Sequence, residues 1–237
     1  MNFEYLIFNF IVLSGPVFFG SLKCCYIWRK WKEIILAIVL PAVPFLLWDA
    51  LVTGTHWNFN PQYVSGIKLL NLPLEEVLFF ITVPFACIFT WEMIVRRAKF
   101  SKVTFSNFIR VILYLTIPAA IYYFYTGRQY TGLALFFLGM ANIADQILTT
   151  NLINQKRFYF FISLIIVFTL LFNGYLTWRP VVTYGVEYQL DFRIFTIPIE
   201  DFIYGIALIF LNIIMYEKLT GSVKKSGELK MKTVKTI

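Results

Sequence analysis

Histidine occurs once in this sequence, at position 56, and cysteine only three times, at 24, 25 and 87. A single histidine supplies no histidine cluster for a metal. Three cysteines without paired spacing give neither a disulfide framework nor a zinc site. No GxGxxG or P-loop stretch is present, so a dinucleotide or ATP has no phosphate cradle. There is no DDxxD-like cluster to hold magnesium and a diphosphate, and no nucleophile–histidine–acid set. The last apolar run contains no lysine for a retinal Schiff base. Charge is scarce: 14% of the 237 residues are charged, against 59% hydrophobic and 19% aromatic. A soluble domain does not hide that much apolar surface.

What is present is a series of long apolar runs, at 3–19, 34–49, 73–95, 107–125, 130–149, 158–175 and 197–217. Several are shorter than the ~20 residues of a usual span, so their ends extend into aromatic interface sequence. The run at 107–125 contains Pro118, which a helix inside a bundle tolerates. The first run lacks a basic flank on its N-terminal side and reads as a retained span rather than a cleaved signal. The fold class expected is an all-α polytopic membrane protein with seven transmembrane helices.

Basic residues are gathered on one set of connections: Lys23, Arg29, Lys30, Lys32, Arg96, Arg97, Lys99, Lys102, Arg110, Lys156, Arg157 and the lysines from Lys218 onward. The other set holds only Lys68, Arg128, Arg179 and Arg193. Basic residues accumulate on the cytoplasmic side, which puts the N-terminus outside and the C-terminus inside. The net charge of +8 then belongs to the cytoplasmic face and a basic tail attracted to anionic lipid. It implies no nucleic-acid partner.

The chain repeats itself at an offset of 125 residues. Pro73 falls on Pro198, Glu75 on Glu200, Glu76 on Asp201, Phe79 on Tyr204, Tyr63 on Tyr188 and Glu92 on Glu217. The first three runs fall on the last three, and the fourth is left over. An internal repeat governs architecture. Here it predicts two parallel three-helix repeats joined by a linker helix, related by an axis along the membrane normal. The expected divisions are a first repeat over 1–97, a linker span over 98–127, a second repeat over 128–218 and a basic cytoplasmic tail over 219–237.

Two acidic pairs, in "PLEEVLFF" (73–80) and "PIEDFIYG" (198–205), open the third and seventh runs at the same end. Proline and carboxylates in a first helical turn are favoured by helix geometry and the macrodipole alone, which explains any single pair. The doubling is what that explanation lacks. Acids at membrane depth face a bundle interior or cavity. Neighbours on a helix stand about 100° apart, so at most one of each pair points squarely at a shared axis. Glu75 and Glu200 lead here because both match as glutamate. A neutral carboxylic acid beside an ionised one provides acid and base in one place.

Aromatic residues gather at the same end: Trp48, Trp57, Tyr63, Trp178, Tyr184 and Tyr188. An interfacial belt accounts for most of them. Phe79, Phe80 and Tyr204 lie closer to the acids and are placed to hold a cation against ring faces. For Asp49 and Arg193, pairing with the acids and a helix-end or solvated role are both open. Asp145 reads as reaching the interface, and Glu92 and Glu217 as ion-paired at the basic end.

At "PLEEVLFF" and "PIEDFIYG", set in two tandem three-span repeats, the chain resembles the integral-membrane, non-flavin lycopene cyclases. These occur as two small subunits in some bacteria and as one fused chain in other bacteria and in fungi. "WDALVTGTHWNFNPQY" and "RIFTIPIEDFIYG" support the likeness, which covers nearly the whole chain. The resemblance implies a carotenoid cyclase acting on lycopene or a related linear carotenoid in the lipid bilayer. No cofactor or metal, and no net redox change, is implied. A bacterial or archaeal cytoplasmic membrane is the expected location, and a homo-oligomer is left open. Carried onto this sequence, the acidic motif positions are Glu75, Glu76, Glu200 and Asp201. Asn173-Gly174 stands where the first repeat has Trp48-Asp49, so Asp49 has no acidic twin.

Other classes share parts of this pattern. Small sugar carriers of the SWEET type also have two parallel three-span repeats, and acids near a bundle axis can couple protons. Their sites lie near the midplane, whereas these acids open helices at one face. A membrane prenyl-transfer enzyme would need magnesium-binding acids that this chain lacks. A structural subunit needing a partner is a further reading.

Overall fold

The structure is a computed structural model and describes residues 3–98 and 101–221. The basic tail expected over 219–237 lies almost wholly outside the described residues. The long helices follow the apolar runs: α1 (Glu4–Ser21), α2 (Trp31–Val52), α3 (Leu74–Arg97), α4 (Ser106–Tyr125), α5 (Gln129–Ile147), α6 (Lys156–Phe168) and α8 (Ile199–Thr220). A π-helical turn, Thr169–Asn173, joins α6 to the short α7 (Gly174–Trp178). Among the described residues, six segments are long and apolar enough to cross a membrane. The fifth expected span, α5, is not among them. It carries Gln129, Asn142, Asp145 and Gln146 and packs against both α4 and α8.

Short strand pairs precede the two motif helices. β2 (Lys68–Leu69) pairs with β3 (Leu72–Pro73), and β5 (Arg193–Ile194) with β6 (Ile197–Pro198). Every partner in the second hairpin is 125 residues beyond its counterpart in the first. Asn71 turns the first hairpin at φ 70°, a left-handed conformation that asparagine tolerates better than most residues. Each hairpin ends in a proline that caps its helix in extended conformation.

The repeats meet at a third ladder. β1 (Trp57–Phe59) runs antiparallel to β4 (Val182–Tyr184), and Asn58 lies opposite Thr183. Those two residues are themselves 125 apart, as a two-fold axis passing between them requires. Packing below the ladder crosses over in the same way. α2 packs on α8 of the other repeat, and α6 packs on α3. Ile88 and Trp91 of α3, Phe161 of α6, and Phe210, Ile213 and Ile214 of α8 form the buried centre. Closely packed interiors of this kind fix the helices to one another.

The end opposite the acidic motifs is held by a crossed pair of bonds. The Trp91 indole donates to Glu217 Oε1 at 2.6 Å, and the Tyr216 hydroxyl donates to Glu92 Oε2 at 2.7 Å. Residues 91 and 216 are repeat mates, as are 92 and 217. Glu92 is also ion-paired with Lys30 and Arg96, at 3.0 Å each. Glu217 takes the indole N–H. Asp145, expected at the solvated end of its helix, is instead fully buried, 2.8 Å from Arg110 Nη2. Thr150 and the Leu152 backbone also donate to it. The α5 backbone passes there close to α4, and a side chain on α5 is the partner available to the α4 guanidinium.

Candidate active site

The two acidic pairs divide alike. Glu75 is fully buried and accepts a bond from the Ser65 backbone N–H at 2.7 Å. Glu200 is also fully buried and accepts from the Leu190 N–H at 2.7 Å, with the Thr131 hydroxyl at 2.6 Å. Ser65 and Leu190 are repeat mates too. Each of these glutamates therefore ties its own connecting loop to the first turn of its helix, and neither lines the central cavity. One residue later the helix has rotated by about 100°, and Glu76 and Asp201 do line it.

The cavity lies between the repeats and encloses about 1090 Å³ when the open space at its mouth is counted. Its carboxylates are Asp49, Glu76 and Asp201, and its walls are otherwise almost wholly aromatic and aliphatic. Tyr5 donates to Glu76 Oε2 at 2.6 Å. Its repeat mate Tyr130 donates to Asp201 Oδ1. Asp201 receives two further bonds at Oδ2, from Asn173 at 2.6 Å and Tyr184 at 2.7 Å. Tyr204 donates to Asp49 Oδ1 at 2.8 Å. Every cavity acid is thus held by a donor of its own, as buried polar groups require. Burial beside Asp201 holds the Tyr184 hydroxyl well above the usual phenol range, so that it stays a donor.

The aromatic candidates separate by position. Trp57, Phe79, Phe80, Tyr184 and Tyr204 line the cavity, as does Asp49. Trp48 does not: its ring lies 5.5 Å from His56 and 6.2 Å from Phe124. Tyr188 stacks on His56 with centroids 4.1 Å apart, forming a layer over Trp57. Tyr63 lies under the Arg179 guanidinium, 5.0 Å from its ring centroid. Arg193 turns back to the Thr196 carbonyl at 3.0 Å and sits 5.9 Å from the Tyr184 ring, so it pairs with none of the motif acids. His56 is a buried loop residue bonded to Gln129 at 2.8 Å. Desolvation pushes its imidazole below its ordinary value of 6.5.

Among the side chains that bond the cavity acids, Tyr5, Tyr130 and Asn173 were not candidates from the sequence. A signal for the first two was present, because Tyr5 and Tyr130 also coincide at the 125-residue offset. Asn173 stood in the sequence as a break in the repeat, and its bond to Asp201 shows what the break provides.

Fold and site together define a helical membrane protein with an internal two-fold repeat and an acid-lined apolar cavity at the repeat interface. The lycopene cyclase family model matches twice, over residues 2–94 and 127–219, and the chain belongs to that family. Among curated proteins it is similar to a bifunctional lycopene cyclase/phytoene synthase of Aspergillus niger, 33% identical over 89 residues, which is 35% of this chain and 14% of that one. A protein of the same description from Phycomyces blakesleeanus is 37% identical over 68 residues, 27% of this chain and 11% of the relative. The matched segments thus span less than a sixth of either relative's length. Both relatives are fungal and lend no support to the bacterial or archaeal membrane expected above. No solved structure matches the chain.

Proposed function

We propose that this chain cyclises the ψ-ends of lycopene, or of a similar linear carotenoid, to β-ionone-type rings. The observation that carries the reading is the meeting of Asp49, Glu76 and Asp201 in one apolar, aromatic cavity, in a member of the lycopene cyclase family. Proton-initiated alkene chemistry needs that combination: an acid, a base, and walls that offer ring faces instead of water to a carbocation.

Glu76 protonates the terminal alkene of the ψ-end and leaves a tertiary cation. The neighbouring double bond attacks it, closing the ring and moving the charge to a ring carbon. Asp201 then removes a ring proton, and the product is an isomer of the substrate. Three donated bonds make Asp201 the natural acceptor, whereas Glu76 and Asp49 receive one each. Asp49 adds negative charge beside the cation path and fixes Tyr204. Glu75 and Glu200 act as positioning residues that hold the motif helices to their hairpins. The same reading takes seven helices as two parallel repeats of three joined by α4, with the N-terminus outside. Glu76 and Asp201 share a single cavity, so a two-ended substrate is turned or rebound between rings.

The test is pigment analysis of a lycopene-accumulating bacterial host expressing this chain alone. Cyclic carotene supports the reading. Unchanged lycopene with the protein present in the membrane overturns it.

A further inference from the structure

A second hollow lies beside the catalytic cavity, on the outer face of the bundle between α1 and the turn-plus-α7 segment. Glu4, Ile7, Phe8 and Ile11 line one side of it, and Leu171, Phe172, Tyr175, Trp178 and Arg179 the other. Its lip is apolar and uncovered: Ile11 and Leu171 are each 62% exposed and Trp178 68%. Its polar end is closed by Glu4 and Arg179, paired at 2.8 Å, with Tyr175 donating to the same Glu4 at 2.6 Å. No charge is left facing the rest of the groove from these three groups.

The groove and the cavity share one residue, Phe172. Its ring meets Phe8 edge-on at 5.9 Å, and Phe8 in turn stacks on Phe79 of the cavity wall at 6.4 Å. The partition is therefore a pair of side chains and not backbone. Phe172 stands in the π-helical turn Thr169–Asn173, next to the Asn173 that holds Asp201. π-turns are wider than α-turns and gather at functional sites.

On the pseudo-symmetric side, between α5 and α2, α4 packs on α5, and Phe124 lies against both Trp48 of α2 and Gly132 of α5. The linker helix seals one of the two pseudo-symmetric sides and leaves the other to the lipid.

We propose that the groove between α1 and α7 is the lateral portal of the catalytic cavity, with Phe172 as its gate. During reaction it holds the polyene tail of the substrate whose ψ-end sits among the carboxylates. This rests on the cyclase reading above. A long apolar substrate dissolved in the bilayer reaches an acid pocket sideways, and its unreacted end needs an apolar bed continuous with that pocket.

The experiment fills the groove from its lipid side, away from the acids. Ile7→Trp with Leu171→Trp is compared with Ile112→Trp and Ile121→Trp, which place the same bulk on exposed positions of α4. Each protein is reconstituted into lycopene-containing vesicles, and initial cyclisation rate and melting temperature are measured. Expected is at least a tenfold slower rate for the groove variant with its melting temperature unchanged, and rates within twofold of the parent for the α4 variants. Relieving the gate with Phe172→Leu in the groove variant restores part of the rate. A parent-like rate in the groove variant, or an equal fall in the α4 variants, overturns the portal. If the parent chain forms no cyclic carotene, the cyclase reading fails and the portal with it. If the parent is active and only the groove results disagree, the portal alone fails.

Discussion

Tyr5 donates its hydroxyl to Glu76 across 71 residues of chain, and Tyr130 donates to Asp201 across the same 71. The two bonds are one bond made twice by a duplicated sequence, and both end on carboxylates of one cavity. The acids next to them, Glu75 and Glu200, make a different bond twice, to the backbone of their own loops. That division carries the predictions.

Replacing Glu76 with Gln or Asp201 with Asn keeps side-chain size and removes the proton-transfer group. Each is expected to lower cyclisation by about 10²–10⁴-fold, the usual contribution of a positioned acid or base. Glu75→Gln and Glu200→Gln should show their main effect in melting temperature and membrane yield. Carotene analysis alongside thermal melting of the four variants separates the roles, and an inactive but fully stable Glu75→Gln would contradict them.

Tyr5→Phe and Tyr130→Phe are not equivalent despite the symmetry. Glu76 loses its one side-chain donor, whereas Asp201 keeps Asn173 and Tyr184. Leaving a buried acceptor without its donor costs about 1–3 kcal/mol. The larger loss of cyclisation rate is therefore expected in Tyr5→Phe, measured as initial rate in the same vesicles.

Arg110→Ala leaves Asp145 buried without its cation. Breaking one side of a buried pair costs about 3–5 kcal/mol, so this variant should melt far below the parent in detergent. Arg110 does not line the cavity, and any protein that does fold should retain its cyclisation. Loss of activity at parental stability would speak against a structural role.

Gly139 marks where α5 meets α4. A Cβ built there collides with Ile117 and comes against Thr116. Gly139→Leu overpacks that contact, at a cost of about 1–3 kcal/mol. The measurement is again the melting temperature, for which a value equal to the parent's would mean that α4 yields freely.

His56 gives stability a pH dependence of known sign. Its folded-state pKa lies below the ordinary 6.5 because burial disfavours the imidazolium. Between the folded and unfolded values the unfolded chain binds the extra proton, so stability rises with pH there. The contribution is complete above pH 6.5 and is lost as pH falls toward the folded value. In His56→Gln that component should vanish, seen as a flatter difference in melting temperature from pH 7 down to about 5.

Much of this was legible in order of residues. The 125-residue offset located both motif helices and the repeated acids Glu92 and Glu217 at the far end, because duplicated sequence must fold twice into the same local structure. The rotation of about 100° between adjacent helical residues limited each acidic pair to one inward member. Which member that is depends on where each hairpin delivers its helix, and matching glutamates proved a poor guide. Glu75 and Glu200 both bind the backbone of their own loops, and that bond needs no cavity. Asp145 was misjudged for a related reason: sequence position gives depth along a helix but not the side chain across from it.

The sequence by itself determined a helical membrane protein, its repeat and the end at which its acids gather, since apolar run length, periodicity and charge placement are properties of local chain. Only the tertiary structure decided that Asp49, Glu76 and Asp201 share one cavity, that Tyr5, Tyr130 and Asn173 hold two of them, and that α4 covers one flank while the other stays open. The first and last of these join residues from different repeats or from the linker, and the second joins separate helices within one repeat. Their meeting depends on how helices pack around the axis between Asn58 and Thr183, and no stretch of sequence contains that packing.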